Sequence, residues 1–126
     1  MLSSHGSCTF ATDGTQALTL YEEAWKSNQP FHLACLDILM PGLDGQAVLA
    51  AIRAHEHASN IPANRATRVI MISALDDGRT VLKAFRNQCE AYLIKPFEQD
   101  ELEDRIRRLG LIGPRRDTTT HVYKRK

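Results

Sequence analysis

Four short apolar runs punctuate the chain: Cys8-Thr9-Phe10-Ala11, Leu33-Ala34-Cys35-Leu36, Val69-Ile70-Met71-Ile72 and Ala91-Tyr92-Leu93-Ile94. The last three are nearly continuous in apolar character, the pattern of strands covered on both faces in a parallel sheet. Between the runs the apolar spacing becomes helical. Leu18, Tyr21 and Trp25 recur at i, i+3, i+7; Val48 and Ile52 stand four apart in an Ala-rich stretch; Leu82, Phe85 and Cys89 repeat the first spacing; Leu102, Ile106 and Leu109 form i, i+4, i+7. Each set predicts an amphipathic helix with those residues on its inner side.

Helix start signals agree. Asp13 with Gln16 three residues on resembles a capping box, Asp44 and Asp76 or Asp77 precede the second and third helices, and Glu98, Asp100 and Glu101 place negative charge at the start of the last. Gly110 and Gly113-Pro114 stop that helix. Residues 55–67 are polar around Pro62 and predict an exposed loop. Residues 114–126 carry five basic residues and one acid and read as a loose tail. The expected organisation is one domain over residues 1–112 and a basic flexible tail over 113–126. Strand and helix alternating with short connections predict right-handed βαβ units, an α/β fold in which chemistry collects at the carboxyl ends of the strands.

Composition narrows the function. The 126 residues include 16 Lys plus Arg against 15 Asp plus Glu, so binding to nucleic acid through bulk charge is not expected. The three cysteines cannot all pair and form no Cys-x-x-Cys, which fits a reducing cytoplasm and three small buried apolar side chains. No apolar run approaches the ~20 residues of a membrane span, and residues 1–6 lack the basic start and apolar stretch of a signal peptide. His55 and His57 face opposite ways on a helix, so a metal site built from the five histidines is not expected.

Three chemically useful groups fall at strand ends: Asp37, Ser73 and Lys95. Their surroundings are Asp37 with Met40-Pro41 and Asp44-Gly45, Ser73-Ala74, and Ala91-Tyr92 with Lys95-Pro96-Phe97. In this order and spacing they resemble the receiver domain of bacterial two-component response regulators over roughly residues 1–111; Ala11-Thr12-Asp13-Gly14 with Ala17-Leu18 resembles the family's second strand and second helix. The resemblance implies a flavodoxin-like, doubly wound parallel sheet. It implies that Asp37 is the phosphoacceptor, a carboxylate that would form an acyl phosphate. Lys95 and Ser73 would stabilise the phosphoryl oxygens, Tyr92 would be the switch residue, and the Lys95-Pro96 bond would be cis. Taken alone, Ser73 would be a turn hydroxyl and Tyr92 a core aromatic.

One part of the family pattern has no counterpart. The family's first strand ends in two adjacent acids that hold Mg²⁺ with the phosphoacceptor, whereas the acid ahead of Glu22 here is Asp13, already assigned to a cap. Residues 1–6 resemble the end of the family's first helix, so the expectation is a truncated receiver with a missing or rearranged first strand. Asp37 and the backbone carbonyl of Leu39 would then be an incomplete metal set, so Mg²⁺ is expected to bind weakly. Phosphorylation by a small donor is expected to be very slow or absent. In the family's order, 2-1-3-4-5, the absent strand is central. Either the strand near Thr9 slides across or a second chain fills the gap, and a homodimer is expected.

The leading expectation is a receiver-like module of two-component phosphorelay signalling that is not an enzyme. It would meet a sensor histidine kinase or other signalling protein through residues 79–87, Tyr92 and 101–108, in the cytoplasm, without nucleic acid or membrane. A second reading is a competent phosphoaccepting receiver whose beginning is absent from this chain. A third, an aspartyl-nucleophile phosphatase, wants a carboxylate two residues after Asp37, where Leu39 stands.

Overall fold

The computed structural model describes residues 13–39 and 42–110. The expected strand at residues 8–11, the tail, and the division of the chain at residue 112 lie outside them.

Among the described residues, each α-helix starts where an acid caps it. Asp13 accepts a hydrogen bond from Gln16 N (2.8 Å) and opens α1, Gly14–Lys26. Asp44 accepts from Ala47 N (2.9 Å) and opens α2, Gly45–Ala58. Asp77, rather than Asp76, accepts from Thr80 N (3.0 Å) and opens α3, Gly78–Arg86. Glu98 and Glu101 form a reciprocal capping box at α4, Gln99–Arg108. Each cap satisfies amide groups that the first helical turn leaves without a partner. The strands are β1, Leu33–Asp37; β2, Arg68–Ser73; and β3, Ala91–Ile94. They pair in parallel in the order β1-β2-β3, with Asp37 opposite Ile72 and Ser73 opposite Ile94.

The period-two alternation of the strands divides the core. Ala34, Leu36, Val69, Met71 and Tyr92 face α1, α2 and α3 through Ala17, Tyr21, Val48, Leu49, Ile52 and Ala84. Cys35, Ile70, Ala91 and Leu93 face the other way, onto Leu102 and Ile106 of α4. Helices thus flank both sides of a parallel sheet, the expected α/β arrangement. Leu36, Leu49, Ile70 and Leu93 are fully buried, each contributing about 1.5–3 kcal/mol. Among the described residues β1 pairs with a strand on one side, β2.

Two expectations from periodicity are corrected. Leu82 and Phe85 do not face the core: they are 50% and 45% exposed, while Ala84 is fully buried and Val81 packs partly against the sheet. A small residue lets this nine-residue helix sit close, and the bulky ones turn outward. Residues 55–67 are not simply an exposed loop. α2 runs on to Ala58, His55 Nδ1 is hydrogen-bonded to Tyr21 Oη (2.8 Å), and Thr67 is fully buried. The polar groups there find internal partners around Arg53. Its Nη1 donates to Glu56 Oε1 (2.7 Å) and to the Thr67 carbonyl (2.7 Å), its Nη2 to Glu90 Oε1 (2.9 Å), and its Nε to the Gln88 carbonyl (3.0 Å). This clasp ties α2 to the entrances of β2 and β3, at the end of the sheet away from Asp37.

Candidate functional site

Asp37 is the last residue of β1. The chain follows β2 for one residue more, since Ile38 N donates to the Ile72 carbonyl (3.1 Å), and then turns into the loop that leads to α2. That loop is fixed by close approach at two glycines. A Cβ on Gly45 would lie 2.6 Å from the Asp37 carbonyl oxygen, so the start of α2 is seated on the backbone of Asp37 itself. A Cβ on Gly14 would lie 1.8 Å from the Leu43 carbonyl oxygen, so the start of α1 closes on the same loop.

Lys95 follows β3, with a cis bond to Pro96. Its amide donates to the Ser73 carbonyl (2.8 Å), which holds the turn against β2. From there Nζ reaches Asp37 Oδ2 at 2.5 Å, while Asp37 Oδ1 accepts from Leu39 N at 3.0 Å. The Asp37 and Lys95 side chains are 35% and 45% exposed. At that exposure an ion pair adds about 0.2–1 kcal/mol, so its meaning is positional: it holds an ammonium on a carboxylate that solvent can still reach.

Ser73 and Tyr92 lie one layer deeper. Ser73 is fully buried and its Oγ accepts from Leu75 N (3.0 Å). Tyr92 is buried and donates through Oη to the Leu75 carbonyl (2.7 Å). Burial pushes the Tyr92 phenol above its ordinary value, with the Ser73 hydroxyl acting in the opposite sense. Of the residues named from sequence, the structure brings Asp37 and Lys95 into direct contact. It sets Ser73 on the adjacent strand with its hydroxyl turned to Leu75, and directs Tyr92 to the same residue. Leu39 is exposed and meets Asp37 through its amide. Leu75 escaped the sequence reading because it acts through its backbone, which side-chain identity does not announce.

A divalent cation of the Mg²⁺ type needs near-octahedral oxygen ligands, including one or two carboxylates. The described residues contain no group of three His, Cys, Asp or Glu placed to hold a metal, and residues 1–12 contain no Asp or Glu. Both oxygens of Asp37 are already engaged, by Lys95 and by Leu39 N. The described residues by themselves do not supply the carboxylates of a dedicated Mg²⁺ site. What the arrangement offers is a carboxylate that solvent can reach, beside a cation that would meet added negative charge.

Comparison with known proteins bears on the whole scaffold. A family model described as the response regulator receiver domain matches residues 2–107. The chain is 36% identical over 99 residues to the probable transcriptional regulator ycf27 of Cyanophora paradoxa, covering 79% of this chain and 36% of that protein. It spans about a third of the length of the curated relatives it matches. Among solved structures, it resembles a chain of the CheX-CheY-BeF3-Mg+2 complex from Borrelia burgdorferi with a TM-score of 0.65 and 26% identity, over 78% of this chain and 65% of that one. It also resembles the receiver domain of Francisella response regulator 1452 with a TM-score of 0.63 and 33% identity, over 80% of this chain and 73% of that one.

Proposed function

The chain belongs to the response regulator receiver domain family, and from that premise we propose that it is a receiver-like module of phosphorelay signalling in which Asp37 holds the acceptor position, phosphorylation by a small donor is very slow or absent, and the output is made by protein contacts. The observation that carries this reading is the Lys95 ammonium resting on the Asp37 carboxylate at the open end of the sheet. In the transfer, an Asp37 oxygen would form a bond to phosphorus while the bond to the leaving group breaks, giving an acyl phosphate. Lys95 would exchange the carboxylate for a phosphoryl oxygen and so offset the added charge. Ser73 would reach a second phosphoryl oxygen by releasing Leu75 N. Tyr92, which shares Leu75 with Ser73, would then respond. The donor would be a sensor histidine kinase or another phosphorylated signalling protein.

Mg²⁺ is a weak partner of this chain in the same reading, through Asp37 and the Leu39 carbonyl, because one carboxylate supplies too little charge. Incubation of the chain with Mg²⁺ and acetyl phosphate, followed by intact-mass spectrometry, is expected to show little or no phosphate adduct. A stoichiometric adduct on Asp37 would instead establish a fully competent acceptor. An adduct elsewhere, with Asp37 unmodified, would remove Asp37 from the role altogether.

The output surface in this reading includes residues 79–87, where Leu82 and Phe85 stand exposed among Arg79, Lys83 and Arg86, together with the outward positions of residues 101–108; Tyr92, expected on this surface from the sequence, is buried beneath it. A homodimer is part of the same proposal, since among the described residues β1 has a strand neighbour on one side and a strand edge is a template for pairing. Light scattering at tens of micromolar protein is expected to return twice the chain mass of 14.2 kDa, and a monomer mass would exclude the dimer.

A further inference from the structure

Gln46 follows the glycine that seats α2 on the Asp37 carbonyl. Its residue surface is only 6% exposed, yet it carries an amide, so its polar atoms need partners inside the protein. Both partners come from α3. Nε2 donates to the Thr80 carbonyl in the first turn (3.2 Å), and Oε1 accepts from Nδ2 of Asn87, the C-cap residue (3.5 Å). One side chain from the start of α2 therefore touches both ends of α3.

Beyond α3, Arg53 of α2 also holds the Gln88 carbonyl, next to the C-cap. The inner side of α3 offers the sheet one fully buried residue, Ala84, and the half-buried Val81, while Leu82 and Phe85 point away. With so small an apolar anchor, a buried amide bridge carries more of the helix's placement. Gln46 takes no part in the Asp37–Lys95 pair or in the meeting of Ser73 and Tyr92 at Leu75.

We infer that Gln46 is a positioning residue that couples the loop after Asp37 to α3, by a route separate from Ser73, Leu75 and Tyr92. A change of charge at Asp37 alters its bonds to Leu39 N and Lys95, and the loop resettles. Gly45 has no free space against the Asp37 carbonyl, so the first turn of α2 follows. Gln46 then carries the displacement to Thr80 and Asn87, and with them the exposed Leu82 and Phe85. This coupling needs only the charge of Asp37, not its phosphorylation, so it stands or falls independently of the acceptor assignment.

The test uses ¹⁵N-labelled full chain and the Asp37→Asn substitution as the perturbation, since it removes the charge at nearly constant volume. The shifts it causes are compared in three backgrounds: wild type, Gln46→Met, which keeps length without hydrogen bonding, and Gln46→Glu, which keeps an acceptor for Asn87 and loses the donor to Thr80. In wild type, Asp37→Asn is expected to move the amide resonances of Leu75, Thr80 and Asn87. In Gln46→Met the Thr80 and Asn87 shifts are lost and the Leu75 shift persists; in Gln46→Glu the Asn87 shift returns without that of Thr80. If Gln46→Met does not fold, Asn87→Ala gives the same reading from the other side of the contact, with loss of the response at the end of α3. Equal responses in all backgrounds, or no response at Thr80 and Asn87 in wild type, overturn the inference.

Discussion

Ser73 and Tyr92 hold the same residue from two sides: Ser73 Oγ accepts from Leu75 N at 3.0 Å, and Tyr92 Oη donates to the Leu75 carbonyl at 2.7 Å. The strand that carries Ser73 and the strand that carries Tyr92 thus meet in the backbone of the β2–α3 connection. Neither hydroxyl can move without releasing Leu75, so the position of this turn reports on both.

Removing either hydroxyl should loosen that turn. Tyr92→Phe leaves a carbonyl without its donor and is expected to cost about 1 kcal/mol, whereas Ser73→Ala strips an acceptor from a fully buried position and is expected to cost about 1–3 kcal/mol. Urea denaturation gives the energies. Hydrogen exchange should show faster amide exchange at Leu75 in both variants. Unchanged protection there would mean that the two bonds do not hold the turn.

Gly45 supplies a sharper test of the Asp37 loop. In a helix Ala is ordinarily better than Gly by about 0.5–1 kcal/mol. Here a Cβ would meet the Asp37 carbonyl oxygen at 2.6 Å and Ile38 Cα at 2.8 Å, both backbone atoms that cannot step aside cheaply. Gly45→Ala is therefore expected to destabilise by about 1–3 kcal/mol, the opposite sign to propensity. A neutral or stabilising result would show that α2 is not seated on Asp37.

How much of this could be read from the sequence depends on which force wrote it. The strands at Leu33, Val69 and Ala91 were legible because burial on both faces leaves little room for polar residues, and the caps at Asp13, Asp44 and Asp77 because a short acid answers free amides at a helix start. The convergence of Asp37 and Lys95 at one sheet edge was legible from their places at strand ends, and the family resemblance added their pairing across 58 residues. Leu82 and Phe85 misled because apolar spacing gives a stripe but not which stripe turns inward, and Ala84 could come closer to the sheet. Gln46 and Arg53 stayed hidden because a buried polar residue is indistinguishable from a surface one until its partners are in place.

Arg53 should prove one of the most sensitive positions for stability. Its guanidinium lies between Glu56, buried on α2, and Glu90, and it also satisfies the carbonyls of Thr67 and Gln88. Arg53→Met keeps much of the stem but takes a donor from the Thr67 and Gln88 carbonyls and leaves the buried Glu56 carboxylate without its charge partner, the Thr67 amide being the donor it keeps. The expected loss is about 3–5 kcal/mol, read from the urea midpoint. Arg105→Met, on the half-exposed face of α4, serves as the contrast and should stay within about 1 kcal/mol. Comparable effects at the two positions would mean that the Arg53 network is solvated and not a clasp.

Buried acids shape the alkaline limb of stability, Cys89 and Tyr21 foremost, with Tyr92 acting in the same sense. Burial, and then the charge of Glu90, push the Cys89 thiol up to about 11; burial, and then Glu56, push the Tyr21 phenol up to about 12. In the unfolded chain these groups ionise near 9.0 and 10.0. Above pH 9.0 the unfolded chain therefore sheds protons that the folded chain retains. The native state then binds more protons, and stability must fall as pH rises. The contribution is intact below pH 9.0, declines first through Cys89, and continues through Tyr21 until the folded groups themselves ionise near 11 and 12. Cys89→Ala should lower stability below pH 9.0 by the loss of a buried sulfur, yet flatten the first part of the decline. Tyr21→Phe should flatten the second part, at the expense of the hydrogen bond to His55. The difference in slope between wild type and each variant isolates that residue. A Cys89→Ala chain that keeps the full wild-type slope between pH 9.0 and about 11 would place the thiol in contact with water.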